Sequence, residues 1–296
     1  MKIFITGANS SVGVHLLNQL ANQKEWQISA GVRAEKAFAD LPSAENIQPV
    51  TIDYQDRADL HAKIQGADVV IHLAGILIET RHSNYATANV AASAAVVEAS
   101  SRASVGRFIF ISVIGASPDA KNAYFRSKGT AEQLVRSANI PATVLRTPLL
   151  LGPGTAGAAS LLNSARQEKA RVLGGGHYVM RPLDTGDLNQ ALINRCEWQS
   201  SDSETLELVG PEGLPYRDLI IKAAQKLGHE VEIESVPIRV AKLGAAFNSL
   251  IKRGGISPTV IDVITSDEKV ENNADQTLGI KLTSLDDTLN KIIKQA

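Results

Sequence analysis

Tyr124 and Lys128 stand four residues apart, so on a helix their side chains share one face. A free tyrosine has a pKa of about 10 and is a poor base at neutral pH. An ammonium about 4 Å away is worth roughly 4 kcal/mol at an effective dielectric near 20, or about three pKa units. Desolvation opposes that shift. The expected product is a phenol that gives or takes a proton near pH 7. Ser112, at the end of an apolar run, is the candidate to hold the reacting oxygen. Y-x-x-x-K alone is common, so the surrounding elements must supply the specificity.

The first of those elements is Lys2 to Ile5, an apolar run suited to a buried parallel strand. It breaks into Thr6-Gly7-Ala8-Asn9-Ser10-Ser11-Val12-Gly13, after which Val14, Leu16, Leu17 and Leu20 recur at helical spacing. Strand, glycine turn and helix in that order form a pyrophosphate cradle, because a helix N-terminus offers unpaired N–H groups and a positive dipole end. Gly7 permits the tight turn and Gly13 the close packing of helix on strand. Asn9, Ser10, Ser11 and Val12 complete the proposed cofactor loop.

A second strand, Gln27 to Val32, ends at Arg33. Dinucleotide folds carry an acid here for a ribose 2′-hydroxyl, or a nearby arginine for a 2′-phosphate. With the acid missing and Lys36 just beyond, the expected cofactor is NADP rather than NAD. Asp53 closes a third strand and is placed beside the adenine or at the start of the next helix. Asp68 to Leu73 is the fourth strand, followed by Ala74-Gly75, where missing side chains let a ribose approach; Leu73, Ala74 and Gly75 join the cofactor set. His72 reads as a packed strand residue, and Asn89, on a long helix from Asn84 to Arg102, as a helix–helix hydrogen bond. Arg107 to Ser112 and Ala142 to Arg146 are further strands. The alternation predicts an α/β fold, a doubly wound parallel sheet whose strand ends converge on one cleft.

The expected organisation is a dinucleotide-binding unit over 1–150 and a mixed lid over 151–296, some of whose elements return to the sheet. In the lid a helix is expected from Val240 to Lys252 and another from Ser284 to Lys294. Arg146, His177, Tyr178 and Arg181 are polar candidates for a substrate pocket.

Thirty basic residues against 31 acidic ones give a net charge of −1, and no basic cluster suggests a nucleic-acid surface. The single cysteine excludes an internal disulfide, and histidines without metal-ligand spacing predict no metal site. No apolar run reaches the roughly 20 residues of a membrane span. The first residues enter a strand at once, which leaves no signal peptide in the reading and sets the expected location as cytoplasmic. The expected partner is a small molecule with a carbonyl or hydroxyl group; oligomeric state is open.

Taken together, T-G-A-N-S-S-V-G, H-L-A-G, Ser112 and Y-F-R-S-K resemble the short-chain dehydrogenase/reductase family. R-T-P-L-L-L-G-P-G, R-P-L-D-T-G-D-L-N-Q-A-L and V-G-P-E-G-L-P-Y-R-D-L are similar to its extended and atypical branch of nucleotide-sugar epimerases and dehydratases. Within it the resemblance is greatest to the group around the reductase-like accessory subunit of respiratory complex I. The resemblance implies Tyr124 as acid/base, Lys128 holding the nicotinamide ribose and tuning the tyrosine, and Ser112 orienting the substrate oxygen. Two departures stand out: Ser10 replaces the middle glycine of the family's T-G-x-x-G-x-x-G loop, and the serine-to-tyrosine loop is short for a sugar-nucleotide epimerase. An NADP-dependent oxidoreductase is the first reading, and a non-enzymatic cofactor-binding sensor or structural subunit the second.

Overall fold

A computed structural model describes residues 1–252 and 255–295. Its centre is a seven-stranded, wholly parallel sheet of β1 (Lys2–Thr6), β2 (Gln27–Val32), β3 (Ile47–Thr51), β4 (Val69–His72), β5 (Arg107–Val113), β6 (Ala142–Thr147) and an edge strand, Glu204–Glu207. The spatial order is β3-β2-β1-β4-β5-β6 followed by that edge strand, so the direction of winding reverses between β1 and β4. Ligands of open α/β sheets bind at this switch point, outside the carboxyl ends of the strands.

Both faces of the sheet are covered, which explains strands that read as continuous apolar runs rather than alternating ones. Ile3 and Ile5 point into a core shared with Leu16, Leu17 and Leu20 of α1 (Ser11–Leu20). Phe4, Phe108 and Phe110 point the other way, against α2 (Arg57–Ile64), α3 (Ala92–Arg102) and α4 (Ala123–Arg136). The long helix expected from Asn84 instead begins as a π-helical turn, Ala86–Ala91, before α3. Its wider winding carries Asn89 into the interior, at 1% exposure.

The second half does two jobs. Thr185–Glu197 packs against the same core as α1, and Glu204–Glu207 pairs with β6. A separate apolar cluster joins helices Ala156–Ala165, Tyr216–Lys226 and Leu285–Lys294 with the paired strands Lys169–Leu173 and Glu232–Val236. The expected helix from Val240 begins two residues earlier, as Ile238–Lys252. The helix Pro258–Ile264, capped by Ser257, was not expected; Pro258 at its first turn is favourable, because the missing N–H would be unpaired there anyway. No helix among the described residues is long and apolar enough to cross a membrane.

Candidate active site

Thr6 ends β1, and Gly7 turns the chain with φ +71°, a left-handed conformation that L side chains resist. A Cβ on Gly7 would lie 2.8 Å from Ala74 N, so the two turns at the switch point touch backbone to backbone. One on Gly13 would lie 2.5 Å from Ala8 O, which fixes the first turn of α1 against the loop. These two absent side chains leave a cradle lined by the opening N–H groups of α1, which fits a pyrophosphate.

Ser10 is accommodated without strain. It is the N-cap of α1 in extended conformation (φ −70°, ψ 158°), and its hydroxyl accepts from Gly13 N at 3.0 Å. The side chain that breaks the family pattern is thus turned onto the helix end. Ser10→Ala should cost about 1 kcal/mol of stability and Ser10→Gly only a few tenths, by denaturant unfolding. Ser10→Gly should also leave NADH affinity within about tenfold of the parent by calorimetry, about 1.4 kcal/mol.

Asn9 is exposed at the loop tip; Ser11 and Val12 are half-buried in the first helical turn. Arg33 is exposed at the end of β2; burial raises the neighbouring Tyr54 phenol to about 12, against the Thr6 hydroxyl and the Arg33 charge. Asp53 is exposed and accepts from Gln55 N at 2.8 Å; the cap of α2 is Asp56. Leu73, Ala74 and Gly75 run along the cleft after β4. A Cβ on Gly75 would lie 3.3 Å from Asn89 Oδ1 and 3.8 Å from Lys128 Nζ. Gly7, Ala74, Gly75 and Lys128 are thereby brought together.

Asn122 caps α4 and sets its entry, accepting from Tyr124 N and Phe125 N. Tyr124 packs against Tyr85 and Phe125, with ring centroids 5.7 and 5.8 Å away. Burial, and secondarily Tyr85, push its phenol above the ordinary tyrosine range. This is opposite to the shift expected from the four-residue spacing. Burial is the main reason, and Lys128 does not counter it: its Nζ donates to Ile111 O at 2.7 Å and lies 4.2 Å from the Phe110 ring centre. Burial lowers the Lys128 pKa to about 8, against the opposing pull of Glu132.

Ser112 takes a third direction. It is fully buried, and its hydroxyl faces Glu132 without a well-formed hydrogen bond. Glu132, also fully buried, accepts from Arg146 at 2.8 and 3.0 Å and from Arg136 at 3.0 Å. Burial works against this carboxylate; the bonds from Arg146 and Arg136 and the nearby Ser112 hydroxyl more than offset it, holding its pKa below the usual range. Arg146 further pairs with Glu207 and donates to Ala116 O, so its guanidinium is engaged inside the fold. His177 is exposed, Tyr178 stacks on Tyr216, and Arg181 donates to Gly210 O.

Asn89 makes the expected helix–helix hydrogen bond and His72 is the expected packed strand residue, and both also tie the cleft together. Asn89 accepts from Ile76 N at 2.8 Å and donates to Ile76 O and Ser127 Oγ. Ser127 donates to Tyr124 O, which links the loop after β4 to α4. An asparagine on an alanine-rich helix was the available signal. His72 bonds Thr6 through Nδ1 at 2.6 Å and Ser93 through Nε2 at 3.0 Å. Burial, then Lys128, lowers its pKa to about 3. The native state therefore binds fewer protons at His72 than the unfolded chain between about pH 3 and 6.5, and this contribution is lost as pH falls through that window. Burial raises Glu268 to about 7, which acts in the opposite sense. The difference between parent and His72→Gln isolates the histidine: the parent should lose more stability than the variant between pH 7 and pH 4 in urea titrations.

A parallel sheet with a glycine cradle at its switch point defines a dinucleotide-binding α/β protein. The chain belongs to the NAD(P)H-binding family, whose model matches residues 7–172. It is similar to the ceramide reductase of Caulobacter vibrioides, 28% identical over 79% of this chain and 73% of that one. It is also similar to the mitochondrial NADH-ubiquinone oxidoreductase 40 kDa subunit of Neurospora crassa, 26% identical over 70% of this chain; the match spans 55% of that longer protein. Among solved structures, MoeE5 in complex with UDP-glucuronic acid and NAD shares the fold over 100% of this chain and 98% of its own, with TM-score 0.78 and 20% identity.

The expectation of NADP is corrected here. Solved structures of this fold, MoeE5 among them, hold NAD. The inference from Arg33 failed because removing an acid from the end of β2 removes a repulsion without building a phosphate pocket. Arg33 is a solvent-exposed guanidinium, and its planar face can equally serve an adenine.

Proposed function

We propose that the chain is an NAD-dependent oxidoreductase acting on a carbonyl/alcohol pair, with Tyr124 as the acid/base and Lys128 holding the nicotinamide ribose. The observation that carries this reading is the meeting of Gly75 with Lys128 Nζ, 3.8 Å from a Cβ position there, beside the cradle formed by Gly7 and Ala74. A dinucleotide laid along that line has its pyrophosphate on the first turn of α1 and its nicotinamide end toward α4. The bound cofactor supplies or accepts the hydride. The chain supplies the proton: burial keeps the Tyr124 hydroxyl protonated, the form needed when a carbonyl oxygen is reduced. Ser112, turned toward Glu132, is a positioning residue for α4 in this reading, and the substrate oxygen depends on Tyr124 and the neighbouring cleft. The polar edge of the cofactor is served by Asn9, Ser11, Arg33 and Asp53.

The relatives divide between catalysis and assembly. Caulobacter vibrioides ceramide reductase is named for a reduction, and the Neurospora crassa protein for a subunit of a larger complex. Engagement of Lys128 by Ile111 O favours the second, non-enzymatic reading, in which NAD stabilises a structural subunit. Screening aldehydes, ketones and nucleotide-sugars for NADH oxidation separates them. Turnover of any class supports the oxidoreductase. Saturable NADH binding with no turnover in either direction supports the subunit.

Titration of Lys128 gives a further expected outcome. Its charge is lost as pH rises through about 8. NADH affinity measured by fluorescence should therefore fall above that pH, and Lys128→Arg should move the decline upward.

A further inference from the structure

Among the described side chains of the helix Ile238–Lys252, three large apolar ones point outward. Val240, Leu243 and Phe247 are 61%, 74% and 68% exposed. Their spacing of three and four puts them in one stripe, and Gly244, also exposed, adds no polar group to it. Ala241 and Ala245, the small residues, are half-buried on the inner side. A helix that faces water shows the reverse. Ile256, 55% exposed, adds a further apolar side chain just beyond the helix.

The charge of the same stretch selects its occupant. Residues 238–252 include Arg239, Lys242 and Lys252 and no Asp or Glu. Lys242 pairs with Asp262 of the neighbouring helix, while Arg239 is exposed at the margin of the stripe. A two-fold contact with a second copy would bring together two helices without an acidic residue, so neither offers the exposed Arg239 of the other a carboxylate. A basic amphipathic helix with Leu and Phe on its apolar side instead matches an anionic lipid interface.

The helix is also well placed for chemistry. It packs on Pro258–Ile264, where Thr259 O accepts from Asn122 Nδ2 at 3.0 Å, and Asn122 is the cap of α4, two residues before Tyr124. We propose that Ile238–Lys252 is an interfacial helix that seats the protein on an anionic phospholipid surface and so presents the Tyr124 cleft to a membrane-resident carbonyl or alcohol. The substrate clause rests on the oxidoreductase reading; the seating does not.

The test is flotation of the full chain with vesicles of phosphatidylcholine alone and of phosphatidylcholine mixed with phosphatidylglycerol. The parent should float with the mixed vesicles and not with phosphatidylcholine alone, and salt should weaken the binding. Leu243→Ser combined with Phe247→Ser should reduce the bound fraction about tenfold, since apolar burial sets the strength. Unchanged NADH affinity and melting temperature would show that the double variant keeps its fold. Arg239→Glu, at an exposed position, should weaken binding without touching the core. Tyr124→Phe should float as the parent does, so a failed oxidoreductase reading leaves this result intact. Absence of the parent from floated mixed vesicles overturns the proposal, as does flotation unaffected by the double substitution. A parent that fails to float and is a dimer in ultracentrifugation, with the double variant monomeric, overturns it in favour of a second copy.

Discussion

Tyr124→Phe is expected to lower the rate of NADH-linked carbonyl reduction by about 10²–10⁴-fold, the usual cost of removing a positioned acid or base. The substitution deletes one oxygen and keeps the ring, so the contacts with Tyr85 and Phe125 survive. Stability and NADH affinity should therefore change little, which separates the chemical role from a packing role. The parent's reductive rate should also fall above about pH 8, where Lys128 loses its charge. A Tyr124→Phe enzyme that retains parental turnover would remove the phenol from the mechanism. Lys128→Ala should differ in kind: affinity and turnover both fall, because the proposed reading gives one ammonium both the ribose and the reacting end.

Glu132→Ala should destabilise the fold by about 3–5 kcal/mol, the cost of leaving buried charge without its partner. Glu132 is fully buried and is the common acceptor of Arg146 and Arg136, and Arg146 is itself only 23% exposed in its side chain. Without the carboxylate, the Arg146 guanidinium keeps only Glu207 and Ala116 O. For a chain of this size, about 2–4 °C of melting temperature per kcal/mol is expected, so the loss is readily read by calorimetry. The network pins α4 to β6, so the variant should also lose turnover through misplacement of Tyr124. A change below about 1 kcal/mol would place this pair with ordinary surface ion pairs.

The fold was legible because its signals are local. Glycine spacing after an apolar strand, and the alternation of strands with helices through Thr147, are each set by residues near in sequence. Less legible were features decided by distant partners. The 185–197 helix and the Glu204–Glu207 strand belong to the main sheet because Leu188, Leu192 and Leu206 find its core, which no local pattern states. Arg146 stood only as a candidate for the pocket, its one local mark a strand end; Glu132, fourteen residues earlier, claims it. The tyrosine shift was misjudged for a related reason. Four-residue spacing puts Lys128 on the correct face, but the carbonyl of Ile111, on another element, decides where its charge sits. Arg33 shows the limit of reading one residue for cofactor choice, since selectivity needs a pocket around it.

The central claim is that NAD lies across the switch point with its nicotinamide ribose at Lys128. A crystal structure of the NADH complex measures this most directly. The expected result has the pyrophosphate on the N–H groups of Ser11 and Val12, and a ribose hydroxyl about 3 Å from Lys128 Nζ, a normal hydrogen-bond distance. The nicotinamide ring should face Tyr124. A dinucleotide bound elsewhere, or one bound at the cradle with Lys128 held by Ile111 O alone, would contradict it.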